Sequence, residues 1–189
     1  MESYGVLEDC YIPDTNISHN ILFDSCVYDK RLVNNPEDVE MLKKLANSGY
    51  CYIYTHVQER ETAGIPDRKL NYKEPWVVNP NLKKIENIFK YLEVKRVSCY
   101  GHVMYWRFVI LDGTYRLIEG KDNPEPRVQM FHAIFNDNLN HLRDAIIAEA
   151  AIYNNCTFVS VDKRPVNIVN QYFPKRALLY EDFIQQVGE

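Results

Sequence analysis

Residues 139–164 (LNHLRDAIIAEAAIYNNCTFVSVDKR) combine a helix pattern and a strand pattern, with a carboxylate near each end. Residues 145–152 are almost all small or apolar, which predicts a helix buried on more than one side. Residues 157–161 are uncharged β-formers, as is typical of a central parallel strand. Asp162 follows this strand directly, and Asp144 opens the helix. Because ligands bind outside the carboxyl ends of such strands, Asp162 is a candidate site residue.

A second strand that ends in an acid lies near the beginning of the chain. The apolar residues 21–23 (ILF) are followed by Asp24 and Ser25. A phosphatase of the haloacid-dehalogenase type needs a further aspartate two residues after the first, where this chain has Cys26. A phosphoacceptor receiver domain lacks an acid at the position of Asp144. Neither GxGxxG nor GxxxxGK[ST] occurs, so a dinucleotide site or a P-loop is not predicted.

A third acidic segment, residues 55–67 (THVQERETAGIPD), follows the strand that we predict over residues 50–55. Thr55 can cap a helix that begins there. Three acids in this segment compete for one role, namely Glu59, Glu61 and Asp67.

Together these segments resemble a PIN domain, the metal-dependent nuclease fold that includes VapC-type toxins. Residues 20–68 and 133–187 carry the resemblance, and the middle of the chain does not match the family pattern well. The resemblance implies an α/β fold, a three-layer α/β/α sandwich on a mostly parallel central sheet. We expect residues 1–19 to be an extension and residues 20–189 to form one PIN-like domain, with a divergent insertion at about 95–127.

The resemblance also implies a metal site built from carboxylates. It assigns Asp24, Glu61, Asp144 and Asp162 as catalytic residues and ligands of Mg²⁺ or Mn²⁺, with Ser25 in a supporting role. Thr62 stands where the family has an apolar residue, and the choice between Glu59 and Glu61 stays open. Each aspartate also has a structural alternative: Asp24 an Asx turn, Asp144 a charge at a helix start, and Asp162 a turn residue.

Such a site hydrolyses phosphodiester bonds, and RNA is the more frequent substrate among the relatives that the chain resembles. The alternative is a catalytically silent PIN-like module that binds nucleic acid or a protein partner. A toxin with a cognate antitoxin protein would share the nuclease chemistry, and a homodimer is a further expected partner state.

The charge of the chain limits how it can hold nucleic acid. Its 22 basic and 26 acidic residues give a net charge of −4, which disfavours binding through bulk electrostatics. Local phosphate contacts remain available, since some basic residues lie close in sequence to candidate acids. These are Lys30, Arg31, Lys163 and Arg164. The alternative for each is an ordinary solvated charge.

The middle of the chain predicts a β-hairpin, residues 102–111 and 114–118, around Asp112-Gly113. Its aromatic and arginine residues either stack on unpaired bases, cover core or build a dimer contact. No apolar run is long enough to cross a bilayer, and the first residues lack the pattern of a signal peptide, so we expect a cytoplasmic protein. The five cysteines show no CxxC pair and are expected to be reduced.

Overall fold

The computed structural model of the chain describes residues 19–64, 78–97, 108–111, 114–117, 125–136 and 138–188. The strands within these residues are β1 (Asn20–Phe23), β2 (Cys51–Thr55), β3 (Lys95–Val97), β4 (Phe108–Leu111), β5 (Thr114–Leu117), β6 (Thr157–Ser160) and β7 (Ala177–Leu179). The helices are α1 (Ser25–Val27), α2 (Pro36–Asn47), α3 (His56–Thr62), α4 (Leu82–Leu92), α5 (Pro126–Phe135), α6 (Leu142–Tyr153), α7 (Lys163–Tyr172) and α8 (Tyr180–Gly188). A π-helical turn, Tyr28–Leu32, continues α1.

Five strands form one sheet in the order β3-β2-β1-β6-β7, and every neighbouring pair is parallel. The chain builds outward from β1 to β3 on one side and then returns to place β6 and β7 on the other side of β1. The strand order therefore reverses between β1 and β6. In open α/β sheets, the crevice at the carboxyl ends of the strands flanking such a reversal is where ligands bind.

Alternate side chains of the strands enter two separate cores, one on each face of the sheet. Ile21, Phe23 and Val159 pack with buried residues of α2, α4 and α8. Leu22 and Phe158 pack with buried residues of α5, α6 and α7. The α/β fold class and the parallel sheet are confirmed, and helices on both faces are compatible with the predicted three layers.

The helices follow the apolar patterns in their sequences. Ile85, Ile88 and Leu92 form one buried face of α4, which belongs to the core on that side of the sheet. In α6, all residues from 145 to 151 are buried, because this helix lies between the sheet and its neighbours α5 and α7. The prediction of a helix buried on more than one side is confirmed.

The predicted element boundaries are close to the observed ones. The helix over residues 36–47 is confirmed, and the strand predicted over residues 50–55 begins at Cys51. The strands β4 and β5 pair antiparallel as predicted for the hairpin, while its turn residues 112–113 lie outside the described residues. The strand β3 was not predicted. It lies within the segment predicted as an insertion, yet it pairs with β2 in the main sheet.

Cys26, Cys51 and Cys156 are free thiols, as expected, whereas Cys10 and Cys99 lie outside the described residues. The predicted extension lies there too, except for His19. In the part of the chain that the structure describes, no helix has both the length and the apolar character needed to cross a bilayer.

Candidate functional site

A cleft of about 380 Å³ opens where the strand order reverses, beyond the carboxyl ends of β1 and β6. The four acids that the sequence predicted as metal ligands all line it: Asp24, Glu61, Asp144 and Asp162. We call it the acidic cleft. Residues from four distant parts of the chain meet here because parallel strands deliver their carboxyl ends to one edge of the sheet.

Asp24 is buried and its carboxylate is fixed by three donors. The first residue of α1, Ser25, donates its backbone N–H to Oδ1 at 2.7 Å. Ser160 donates its hydroxyl to Oδ2 at 2.7 Å, and the Cys26 thiol donates to the same oxygen at 2.8 Å. Burial and the charge of Asp24 raise the pKa of the Cys26 thiol to about 12, so this thiol keeps its proton and remains a donor.

Ser160 joins the two strand ends that flank the cleft. Its hydroxyl donates to Asp24 and accepts the backbone N–H of Asp162 at 3.1 Å. The side chain is fully buried. The sequence prediction did not include this residue, although a hydroxyl at the end of an otherwise apolar strand, two residues before a candidate acid, was an available signal.

The helix α3 is attached to β1 by a buried amide. Thr55 and Gln58 form a capping box at the start of α3, and the Gln58 side chain also donates to the backbone carbonyl of Phe23. Since Phe23 directly precedes Asp24, this contact fixes α3 against the strand end that carries Asp24. It places Glu61, one turn further along α3, in the acidic cleft.

Glu61 is held by two protein donors. The Ser25 hydroxyl donates to Oε2 at 2.5 Å, and the Arg143 guanidinium lies 3.4 Å from Oε1. Burial raises the pKa of Glu61, and these two donors oppose that rise. Glu59 does not line the cleft. Its side chain is half exposed and pairs with Arg96 at 3.7 Å, so of these two glutamates only Glu61 reaches the site.

Asp144 lies in the first turn of α6, where its carboxyl faces other acids. Its pKa is raised to about 7, first by burial and then by the charges of Asp24, Glu61 and Asp162, while Arg164 opposes the rise. A carboxylate that is only partly ionised near neutral pH, surrounded by three others, is a place where a cation would be stabilised.

Asp162 has a structural contact of its own. It caps α7 by accepting the backbone N–H of Arg164 at 2.9 Å. The guanidinium of Arg164 donates to the carbonyls of Ala133 and Ile134 at 3.2 and 2.8 Å. These carbonyls belong to the last turn of α5, where a cation is favourable.

The predicted phosphate contacts are dispersed over the surface. Lys30 lines the acidic cleft, but Arg31 pairs with Glu181, and Lys163 is exposed outside the cleft lining. Arg164 binds the end of α5, as described above. A different arginine, Arg143, lines the cleft. The sequence prediction missed it, although it directly precedes Asp144.

The chemistry of the donor set fits a hard divalent cation. Magnesium and manganese take oxygen ligands, and several carboxylates with an open face suit them. Within the described residues, however, no three His, Cys, Asp or Glu side chains are already grouped as a metal site. The four acids line the same cleft, and the charges of three of them add to the rise that burial gives the pKa of Asp144. A cation would relieve this repulsion.

Comparisons with known proteins gave no match to this chain, whether with family models, curated proteins or solved structures.

Proposed function

We propose that this protein is a nuclease that depends on Mg²⁺ or Mn²⁺ and hydrolyses phosphodiester bonds at the acidic cleft. The observation that carries this proposal is the convergence of four acids in one cleft, namely Asp24, Glu61, Asp144 and Asp162. The charges of the other three add to the burial that raises the pKa of Asp144 to about 7. Four acids crowded at a strand-order reversal are unfavourable without a cation. A bound divalent ion would offset that repulsion, activate a water and neutralise charge on the transferring phosphate.

The chain itself would hold and orient the reacting groups. Asp24, Glu61, Asp144 and Asp162 would hold the ion, and the buried donors on Asp24 keep its carboxylate in one orientation before the ion arrives. Ser25 contacts both Asp24 and Glu61, so its position is coupled to that of two ligands. These contacts support the role that the PIN resemblance implied for Ser25.

RNA is the substrate that we favour, because the PIN-like pattern of the sequence implies it. The acidic cleft would repel a phosphodiester in the absence of the ion, so substrate binding should depend on the metal. An unstructured strand is the form that we expect to reach the cleft.

A catalytically silent binding module is the second candidate function. Two observations favour it: Asp24 and Asp162 already cap helices, and both Glu61 oxygens already have protein partners. In that case the acids would be explained by structural roles, and nucleic acid or a protein would bind without being cut.

Cleavage of one labelled, unstructured sequence, prepared as RNA and as DNA, tests the proposal. The full chain is titrated with Mn²⁺ and compared with Asp24→Asn and with the control Asp182→Asn, which changes an exposed acid on α8. We expect metal-dependent cleavage of RNA by the wild type and by the control, and loss of cleavage in Asp24→Asn. Absence of cleavage by the wild type, or full activity of Asp24→Asn, would contradict the proposal. Binding without cleavage would support the silent module.

A further inference from the structure

Arg143 places a guanidinium in the acidic cleft directly beside the proposed metal ligands. It is the second residue of α6 and precedes Asp144. Its Nη1 lies 3.4 Å from Oε1 of Glu61, and the two side chains are 24% and 19% exposed. The ion pair is therefore partly buried at the wall of the cleft, where a substrate would approach.

The contact with Glu61 is long for an ion pair of this kind. Charge-assisted hydrogen bonds between a guanidinium and a carboxylate are usually about 2.7 to 2.9 Å long, and the strongest pairs use two parallel bonds. Glu61 also accepts the much shorter bond from Ser25 on its other oxygen. The contact between Arg143 and Glu61 is thus one that a better anion could replace.

The charge of the cleft favours such a replacement when a substrate binds. Among the described residues that line it, the cationic side chains are Arg143 and Lys30, against the four proposed ligands and Asp29. Asp29 accepts the side-chain amides of Asn79 and Asn81, so this acid is already engaged in the wall. A phosphodiester entering the cleft needs a cation close to the ligands, and the planar fork of an arginine matches phosphate oxygens.

We propose that Arg143 binds the substrate phosphate and that Glu61 holds it in place until the metal arrives. This inference rests on the proposed nuclease function. Glu61 would be one of the ligands of a bound cation, and its attraction for Arg143 would then be weaker, so that the guanidinium would be able to bind phosphate. Metal and nucleic acid therefore bind cooperatively, and by thermodynamic linkage each raises the affinity of the other by the same factor.

The experiment compares Arg143→Gln and Arg143→Lys with wild type in two measurements. Isothermal titration with Mn²⁺ alone reports metal binding, and steady-state cleavage of the labelled RNA over a range of KCl concentrations reports KM and kcat. The control is Arg96→Gln, which removes an arginine paired with Glu59 outside the cleft. Circular dichroism checks that each variant is folded.

The two measurements should respond differently to the loss of the guanidinium. Arg143→Gln should raise KM at least roughly tenfold, because hydrogen bonds to charged groups contribute more than neutral ones. The slope of log KM against the logarithm of the KCl concentration should decrease by about one, because one phosphate contact is lost. Mn²⁺ affinity should stay equal or increase, since a cation that competes for Glu61 is gone. Arg143→Lys should give an intermediate KM, because it keeps the charge and loses the fork.

Several outcomes would overturn the inference. An equal weakening of Mn²⁺ and RNA binding would show that Arg143 only supports the structure of the cleft. An unchanged KM with normal Mn²⁺ binding would show that it does not contact the substrate, while leaving the nuclease proposal intact. Failure of the wild type to bind Mn²⁺ and to cleave RNA would instead refute the proposed function itself.

Discussion

Asp144 and Glu149 are two acids on the same helix, α6, and burial raises the pKa of both to about 7. Their surroundings differ. Asp144 faces three further acids in the cleft, whose charges add to the rise in its pKa. Glu149 is 1% exposed and has an arginine beside it: Nε of Arg127, on α5, lies 3.2 Å from its Oε1.

The difference lies in what would offset each buried charge. The protein supplies a cation for Glu149, and Arg127 lowers the pKa that burial raises. For Asp144 the neighbouring charges are mostly negative, and Arg164, which opposes the rise in its pKa, is bound to the end of α5. A raised pKa alone therefore does not identify a functional acid. The sign of the surrounding charge separates a structural pair from a candidate metal site.

The strongest test of this comparison is to neutralise each acid in turn. Asp144→Asn should reduce Mn²⁺-dependent RNA cleavage by at least about 1,000-fold, more than the loss expected from residues that only orient ligands. Glu149→Gln should retain activity within about threefold of the wild type, because it lies outside the cleft lining. Initial rates at saturating Mn²⁺ make the measurement. Similar losses in both variants would remove the distinction between the two acids.

The second test removes the arginine from the buried ion pair between Arg127 and Glu149. Arg127→Gln should lower the free energy of unfolding by about 3 kcal/mol at pH 8, because Glu149 is left charged and buried. The loss should be smaller at pH 6, where Glu149 can take up a proton. Urea unfolding at both pH values measures the difference. The double variant Arg127→Gln, Glu149→Gln should recover much of the loss at pH 8, and a loss that did not depend on pH would argue against charge as its cause.

The third test uses the stability of the metal-free protein. Asp144 titrates near 3.9 when unfolded and near 7 when folded, so the folded state keeps a proton that the unfolded state loses between these values. The contribution of Asp144 to the free energy of unfolding therefore decreases as the pH rises from about 4 to about 7. The rise in the pKa corresponds to a change in the free energy of unfolding of at most about 4 kcal/mol. Because Asp144 is partly exposed, we expect a change on the order of 2 kcal/mol.

Thermal or urea unfolding in EDTA at pH 5 and pH 8 measures this decrease. Glu149 also has a raised pKa, so it too lowers the free energy of unfolding as the pH rises. Asp144→Asn should therefore make the difference in stability between pH 5 and pH 8 smaller, and the double variant with Glu149→Gln should make it smaller still. Mn²⁺ should stabilise the wild type at pH 8 and should not stabilise Asp144→Asn. Equal stabilisation of both proteins by Mn²⁺ would locate the ion elsewhere.

The smallest expected effect concerns the buried hydroxyl that orders the cleft. Ser160→Ala removes one donor to Asp24 and the acceptor for the backbone of Asp162. We expect about a tenfold loss of Mn²⁺ affinity, as is usual for residues that orient ligands. Ser48→Ala is the matched control, since the Ser48 hydroxyl is exposed and bonds to Lys44 within α2. An equal effect of both changes on Mn²⁺ binding would remove Ser160 from the site.

Much of the fold follows from local patterns along the chain. The uncharged run at β6 and the apolar triplet of β1 predicted buried strands, and the longer stretch of small and apolar residues predicted the buried helix α6. The strand β3 has no such pattern in its sequence and was not predicted. Only Val97 of its three residues is buried, so the strand forms through its backbone pairing with β2 and leaves no apolar pattern.

Asp24, Asp144 and Asp162 were available from the sequence because each follows a strand or lies at the start of a helix. Glu61 was proposed from the PIN resemblance, with Glu59 as the alternative. The partners of these acids were not available from the sequence. Nothing in the neighbouring residues separates Arg143, in the cleft, from Arg164, on the carbonyls of α5, and both lie next to a candidate acid. Glu59 and Glu61 differ by two positions on one helix, and only the attachment of α3 to β1 by Gln58 decides which of the two reaches the cleft. The local sequence pattern determines which side of a helix or strand faces inward. The tertiary structure determines which charged side chains surround a site acid, because these come from residues that are distant along the chain.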